Sequence, residues 1–159
     1  EEAFHEDRQL YVHLKAWLAA EGLETRIADG EGTASPHLLD WAQEGLVDVI
    51  QYDIHGFGFT RWLELGPQLD VWDVGSAPHH YGGYYGNYVS CQLAAAIRRY
   101  EFAEWDEATT LGLDGSAYQI VDGRVRVPEL PGFGLHLDDE VFCRAVAENG
   151  FSVHTRLGR

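Results

Sequence analysis

Short apolar runs with strand character alternate with amphipathic helical stretches along most of this chain, and each run ends on an ionisable residue. Glu31, Asp53, His79 and Glu104 follow one another at intervals of 22, 26 and 25 residues, and Glu1 lies 30 residues before Glu31. One βα unit has about that length, because a barrel of eight takes roughly 250 residues. Strands alternating with helices imply parallel pairing and right-handed crossovers. Barrel enzymes build their active sites at the C-terminal ends of the strands. A carboxylate there is desolvated unless a cation or hydrogen bonds offset the cost. Any one of these residues alone is more often a surface group; five at one period point to a site.

The pattern predicts a helix over 10–18, with Asp7 as N-cap and Gly22 as its stop, then a strand over 25–28. Ser35-Pro36 is expected to open a second helix that Gly45 ends. A strand over 47–52 follows, then a short helix to Gly66, a strand over 70–74, a helix over 87–98 and a strand over 100–103. The last 50 or so residues break the alternation. Residues 118–121 and 124–127 flank Asp122-Gly123, a type I′ hairpin signal. Pro128 to Gly134 reads as a loop, and 138–149 as a final helix. The expected division is a partial barrel over 1–110 and a C-terminal extension over 111–159, packing on the barrel or on a cap domain.

Composition narrows the partners. With 45% apolar residues and 20 aromatics among 159, the chain can bury a core. Its formal charge of −15, from 26 acidic against 11 basic side chains, disfavours phosphate backbones, so no nucleic acid is expected. No basic run suits an anionic membrane, no segment reads as a bilayer span, and no signal peptide is seen. Cys91 and Cys143 fall in helical patterns and read as buried structural thiols of a reduced, cytoplasmic protein. The chain has no Met and opens directly on Glu1-Glu2-Ala3-Phe4.

The local sequences resemble the enolase superfamily, in its mandelate racemase and muconate lactonizing branch. Glu1-Glu2-Ala3 is similar to the Glu-Glu-Pro ending the fourth barrel strand, with Ala3 in place of Pro. Asp29-Gly30-Glu31 resembles the fifth-strand metal Glu, and Asp48 to Asp53 the sixth-strand Asp-x-x-Gln-x-Asp. Pro78-His79 resembles the seventh-strand catalytic His, and Phe102-Ala103-Glu104 the eighth-strand Glu. Asp122-Gly123, Val127-Pro128 and Pro131-Gly132-Phe133-Gly134 resemble the C-terminal signature. The pair His79-His80 leaves either as the base, with His79 at the family position.

The resemblance implies the second half of a (β/α)8 barrel, strands five to eight with the end of strand four, plus a C-terminal hairpin and helix. It implies a Mg²⁺ ion held by Glu1, Glu31 and a carboxylate from an absent third strand. It implies His79 as general base or acid, oriented by Asp53, and Glu104, if protonated, as donor to the carboxylate of an enediolate. The implied activity is abstraction of a proton next to a carboxylate, in an acid-sugar dehydratase. A racemase or epimerase is the alternative, and a non-catalytic metal-binding fragment the rival from another class. The family's cycloisomerases use lysine bases, and this chain's only lysine, Lys15, falls on a helix. Implied partners are a small carboxylate substrate, the N-terminal half of the same enzyme and, once complete, further copies of itself. Four or five strands cannot close an eight-stranded barrel, so weak Mg²⁺ binding and open edges are expected of the chain alone.

Overall fold

The computed structural model describes residues 7–81, 85–107 and 109–150. Two compact units divide the chain, one up to residue 108 and one from Thr109 onward. The first begins with α1 (Arg8–Ala20), where the Asp7 carboxylate accepts from the amide of Gln9 and supplies the expected N-cap. Then come β1 (Ala28–Asp29), α2 (Leu38–Gln43), β2 (Val49–Ile50), α3 (Ile54–Phe57), α4 (Phe59–Trp72), β3 (Gly75–Ser76) and α5 (Gly86–Ala94).

The three strands pair in parallel in the order β1-β2-β3, with Ala28 opposite Val49 and Ile50 opposite Ser76. The eighth barrel strand joins this sheet by one parallel bridge, Ser76 to Tyr100. Each crossover carries helix, as parallel neighbours require. The core includes Leu38, Val47, Ile50, Trp62, Leu69 and Leu93, all 0% exposed. This is the expected second half of a (β/α)8 barrel.

The strand predicted over 70–74 is a correction. Asp70, Val71 and Trp72 are the last turn of α4, and the third strand begins at Gly75. Trp62, Leu65 and Leu69 lie at i, i+3 and i+7 and are buried, whereas Val71 is 82% exposed, so the helical stripe outweighs the local β propensity. Pro67 inside the helix has no amide to give Leu63. Leu63 is 38% exposed, so water can serve its carbonyl. Asp73, with φ 65°, ends the helix in the left-handed region. The second helix also starts later than Ser35-Pro36 suggests: Ser35 Oγ accepts from the His37 amide in a local turn, and His37 is the N-cap position. The fourth predicted helix stops at Ala94.

At the N-terminal ends of the strands, away from Asp53 and His79, Arg26 makes a two-pronged ion pair with Glu101, at 2.5 and 2.9 Å, and reaches the Asp48 carbonyl at 3.3 Å. The pair bridges from the first strand to the last across the sheet. It lies over Gly75, where an added Cβ would come within 2.7 Å of the guanidinium. Arg26 holds the Glu101 carboxyl below its ordinary range, against the opposing effect of burial. A depressed folded value stabilises above the unfolded value of about 4.3 and is lost as pH falls through the folded one. Glu101→Gln should therefore lower the urea midpoint at neutral pH, and the gap to the parent should close below pH ~4. A gap that persists undiminished at the acid end would rule out this pairing as its source. Lys15, on α1, is likewise engaged at the N-terminal ends of the strands, at 2.6 Å from both oxygens of Asp48.

The second unit contains β4 (Leu113–Asp114), β5 (Gln119–Val121), β6 (Arg124–Arg126), β7 (His136–Leu137) and α6 (Asp139–Asn149). β4 pairs with β7 and β5 with β6, both antiparallel. Asp122 and Gly123 take φ 51° and 71°, the two positive values that a type I′ turn demands. Asp138 caps α6 through the Val141 amide. Cys91 is buried, and burial pushes its thiol up to about 11, so it stays protonated. Cys143 is exposed on α6, correcting the expectation of a buried thiol there. Its helical period is right, but none of the described α6 side chains is buried.

Candidate active site

Asp53 follows β2 and is the N-cap of α3. Its Oδ1 accepts from the amides of His55 and Gly56, at 2.8 and 2.7 Å, which fixes the plane of the carboxylate. Sheet pairing continues past β2 and β3 as a parallel bridge between Asp53 and His79, closed by the Ile54 amide on the His79 carbonyl at 2.8 Å. That register sets the two side chains side by side, with His79 Nδ1 3.2 Å from Asp53 Oδ2. Burial opposes the charge on Asp53, but the Gly56 and His55 amides and the His79 ring outweigh it and lower its pKa. Asp53 is therefore a carboxylate acceptor, and Nδ1 is the ring nitrogen that donates to it.

Glu31 arrives by a turn that only glycine can make. Gly30 has φ 130°, and a Cβ there would lie 3.0–3.1 Å from backbone atoms of Gln51 and Tyr52. The preceding Asp29 is 1% exposed; it accepts from the Gly30 amide at 2.6 Å and from the Tyr11 hydroxyl of α1. The turn delivers Glu31 Oε1 to 2.9 Å from His79 Nε2. Glu104 Oε2 stands 3.9 Å from the same nitrogen. Three strand-end carboxylates thus converge on one imidazole that is 13% exposed. Glu1 lies outside the described residues.

The adjacent histidines diverge. His79 meets Asp53 and Glu31, whereas His80 is 0% exposed and turns its Nε2 to the Glu104 carbonyl at 2.5 Å. Asn87, which the sequence shows only as a helix start, pairs with the backbone of Asp106 through both ends of its amide. Asp29 and Gly30, which the sequence shows only as the lead into Glu31, make the turn that carries it, and an Asp-Gly step is itself a turn signal.

Among the described residues, no group of three or more His, Cys, Asp or Glu side chains is arranged to hold a metal ion. Glu31 has the hard oxygen donors that Mg²⁺ takes, at the right end of its strand, but one carboxylate does not make an octahedral site. The donor type fits the ion and the described donor number does not.

A parallel βα sheet with acid and base groups gathered at its strand ends is the class of a barrel enzyme's catalytic face. The enolase C-terminal domain-like family matches residues 1–141, and the chain belongs to it. A galacturonate dehydratase from Geobacillus sp., complexed with D-galacturonate and 5-keto-4-deoxy-D-galacturonate, is 52% identical with a TM-score of 0.89 over 93% of this chain and 40% of its own. A mandelate racemase/muconate lactonizing protein from Geobacillus sp., complexed with magnesium and tartrate, is 52% identical with a TM-score of 0.90 over 94% and 39%. A mandelate racemase/muconate lactonizing enzyme-like protein from Roseovarius sp., 23% identical with a TM-score of 0.62 over 77% of this chain and 32% of its own, shares the fold. The chain thus spans about 40% of the length of the first two relatives. No curated protein matches the sequence.

Proposed function

We propose that this chain is the catalytic-face half of a Mg²⁺-dependent acid-sugar dehydratase acting on a hexuronate such as D-galacturonate. The observation that carries the reading is the Asp53–His79–Glu31 line of contacts at the strand ends, in a chain 52% identical to a galacturonate dehydratase. Magnesium accompanies two of the similar structures, one of them a galacturonate dehydratase mutant from the same genus, which supports the same ion here. When bound, the ion supplies Lewis-acid stabilisation for the second negative oxygen that forms as the carboxylate becomes an enediolate. Glu31, with Glu1 and a carboxylate from another strand, would hold it.

His79 works at Nε2. Asp53 binds Nδ1–H, which fixes the tautomer and leaves Nε2 to take or give a proton. Glu104, whose Oε2 stands 3.9 Å from Nε2, would have to carry a proton to donate to a substrate carboxylate. In the dehydration, the hydrogen on the carbon next to the carboxylate leaves as a proton, the hydroxyl on the following carbon then departs, and together they make up one water. The enol that remains tautomerises to the ketone, the relation between D-galacturonate and its 5-keto-4-deoxy product. Neither step needs a lysine, and Lys15 is held by Asp48. A racemase or epimerase shares the proton abstraction and differs in delivering a proton to the opposite face, with the hydroxyl retained.

The test is to incubate the protein, with its complete barrel, with D-galacturonate and Mg²⁺ in deuterated water. Water loss with a deuterium at the new methylene supports the dehydratase. Exchange at the carbon next to the carboxylate without water loss replaces it with the racemase or epimerase. No change in any acid sugar overturns both.

A further inference from the structure

Past Glu101 the eighth strand loses its partner in the sheet. Its last backbone bond to β3 is the Glu101 amide on the Ser76 carbonyl at 3.0 Å, and 102–107 form no strand. Glu104 nevertheless has to point at His79. The His80 amide and ring and the Asn87 side chain do there what the sheet does elsewhere. The His80 amide donates to Glu104 Oε2 at 2.9 Å, while its ring Nε2 meets the Glu104 carbonyl at 2.5 Å. Two residues on, Asn87 donates to the Asp106 carbonyl at 2.6 Å and accepts from the Asp106 amide at 2.9 Å.

We propose that His80 is a positioning residue for Glu104: its ring, as an Nε2–H donor, holds the backbone carbonyl of the eighth-strand Glu, while its main-chain amide holds the carboxylate. This rests on the acid-sugar reading given above for what Glu104 does. A carbonyl can only accept, so Nε2 carries the hydrogen. Nδ1 has no hydrogen-bond partner among the described residues, which suits a bare lone pair in an enclosed site. The ring is 0% exposed and so cannot touch substrate. It fits only because residue 86 is glycine: a Cβ there would stand 2.7–2.9 Å from ring and Cβ atoms of His80. The double histidine is thus a division of labour, one ring for the proton and the next for aiming the neighbouring carboxylate.

His80→Leu should lower kcat roughly 10²-fold, the scale expected when a reacting group is misplaced by about 1 Å, with a smaller change in KM. His80→Gln, whose amide nitrogen falls near Nε2, should recover most of the loss. In a Glu104→Gln background, His80→Leu should cost little more, because its effect passes through Glu104. An equal loss in both backgrounds would reduce His80 to packing, and unchanged kcat in His80→Leu would overturn the proposal. Should the Leu variant not fold, two further measurements decide. Gly86→Ala presses on the same ring and should reproduce the loss. Long-range ¹H–¹⁵N spectra of the unsubstituted protein should show His80 as the Nε2–H tautomer; an Nδ1–H tautomer overturns it. Failure of the functional reading looks different: the unsubstituted protein would turn over no acid sugar, while the His80 tautomer would still decide the positioning.

Discussion

In the complete enzyme proposed above, His79→Asn is expected to abolish acid-sugar turnover while leaving Mg²⁺ affinity nearly unchanged. Asparagine keeps a polar group where Nδ1 meets Asp53, 3.2 Å away, but has nothing at the Nε2 position that can take or return a proton. General acid–base catalysis is worth on the order of 10²–10⁴-fold, and the loss exceeds that if the same ring also assists departure of the hydroxyl. The proposed metal ligands, Glu1 and Glu31, are retained, so calorimetric titration with Mg²⁺ should differ little. Asp53→Asn should cost less than His79→Asn. Asn is as good an N-cap as Asp, so the bonds from His55 and Gly56 survive, and the ring keeps a neighbour of the right size. What is lost is the negative charge that favours Nδ1–H. Near-normal kcat in His79→Asn would sink the dyad, and a Mg²⁺ affinity that collapsed with it would place His79 among the ligands instead.

Trp62→Ala should be among the most destabilising single changes in the first unit, by about 3–5 kcal/mol. The indole is 0% exposed, and its ring centroid stands 5.8 Å from that of Phe57 and 6.4 Å from that of Tyr52. Its Nε1–H donates to the Tyr52 carbonyl at 3.2 Å, one residue before Asp53. Truncation removes the packing volume and the donor together, and the carbonyl it frees is partly buried. Trp62→Phe keeps much of the volume and should lose less, by roughly the 1–3 kcal/mol of an unsatisfied group. Urea unfolding of the three proteins is the measurement. A loss below ~1 kcal/mol for the Ala variant would show that the site collapses around the gap.

The strand-end groups were legible because a parallel βα fold repeats its geometry once per unit, so Glu31, Asp53, His79 and Glu104 stand out by interval alone. The Asp122-Gly123 hairpin and the Asp7 and Asp138 caps were legible because each rests on chemistry local to a few residues. The strand expected over 70–74 failed for the opposite reason. Val71 and Val74 favour a strand locally, but Trp62, Leu65 and Leu69 extend a buried helical stripe to their side, and burial of that stripe is the larger energy. The choice between His79 and His80 was open in the sequence because adjacent residues in extended chain face opposite ways, and only pairing with Asp53 says which faces the site. Asn87 carried no signal, since a side chain that mimics a strand has no spacing of its own.

The Arg26–Glu101 pair joins residues 75 positions apart. At a synthesis rate of about 5–20 residues per second, roughly 4–15 s pass between the emergence of Arg26 from the ribosome and that of its partner. For that time Arg26 lacks the Glu101 carboxylate, and once β3 has emerged the three-stranded sheet has no brace across its N-terminal ends for the 25 residues from Ser76 to Glu101. The nascent chain must therefore hold β1, β2 and β3 together by their parallel hydrogen bonds and apolar contacts without this brace, with unpaired strand edges open to neighbouring polypeptides. Its vulnerability to aggregation is concentrated in this interval, before the last strand has been made.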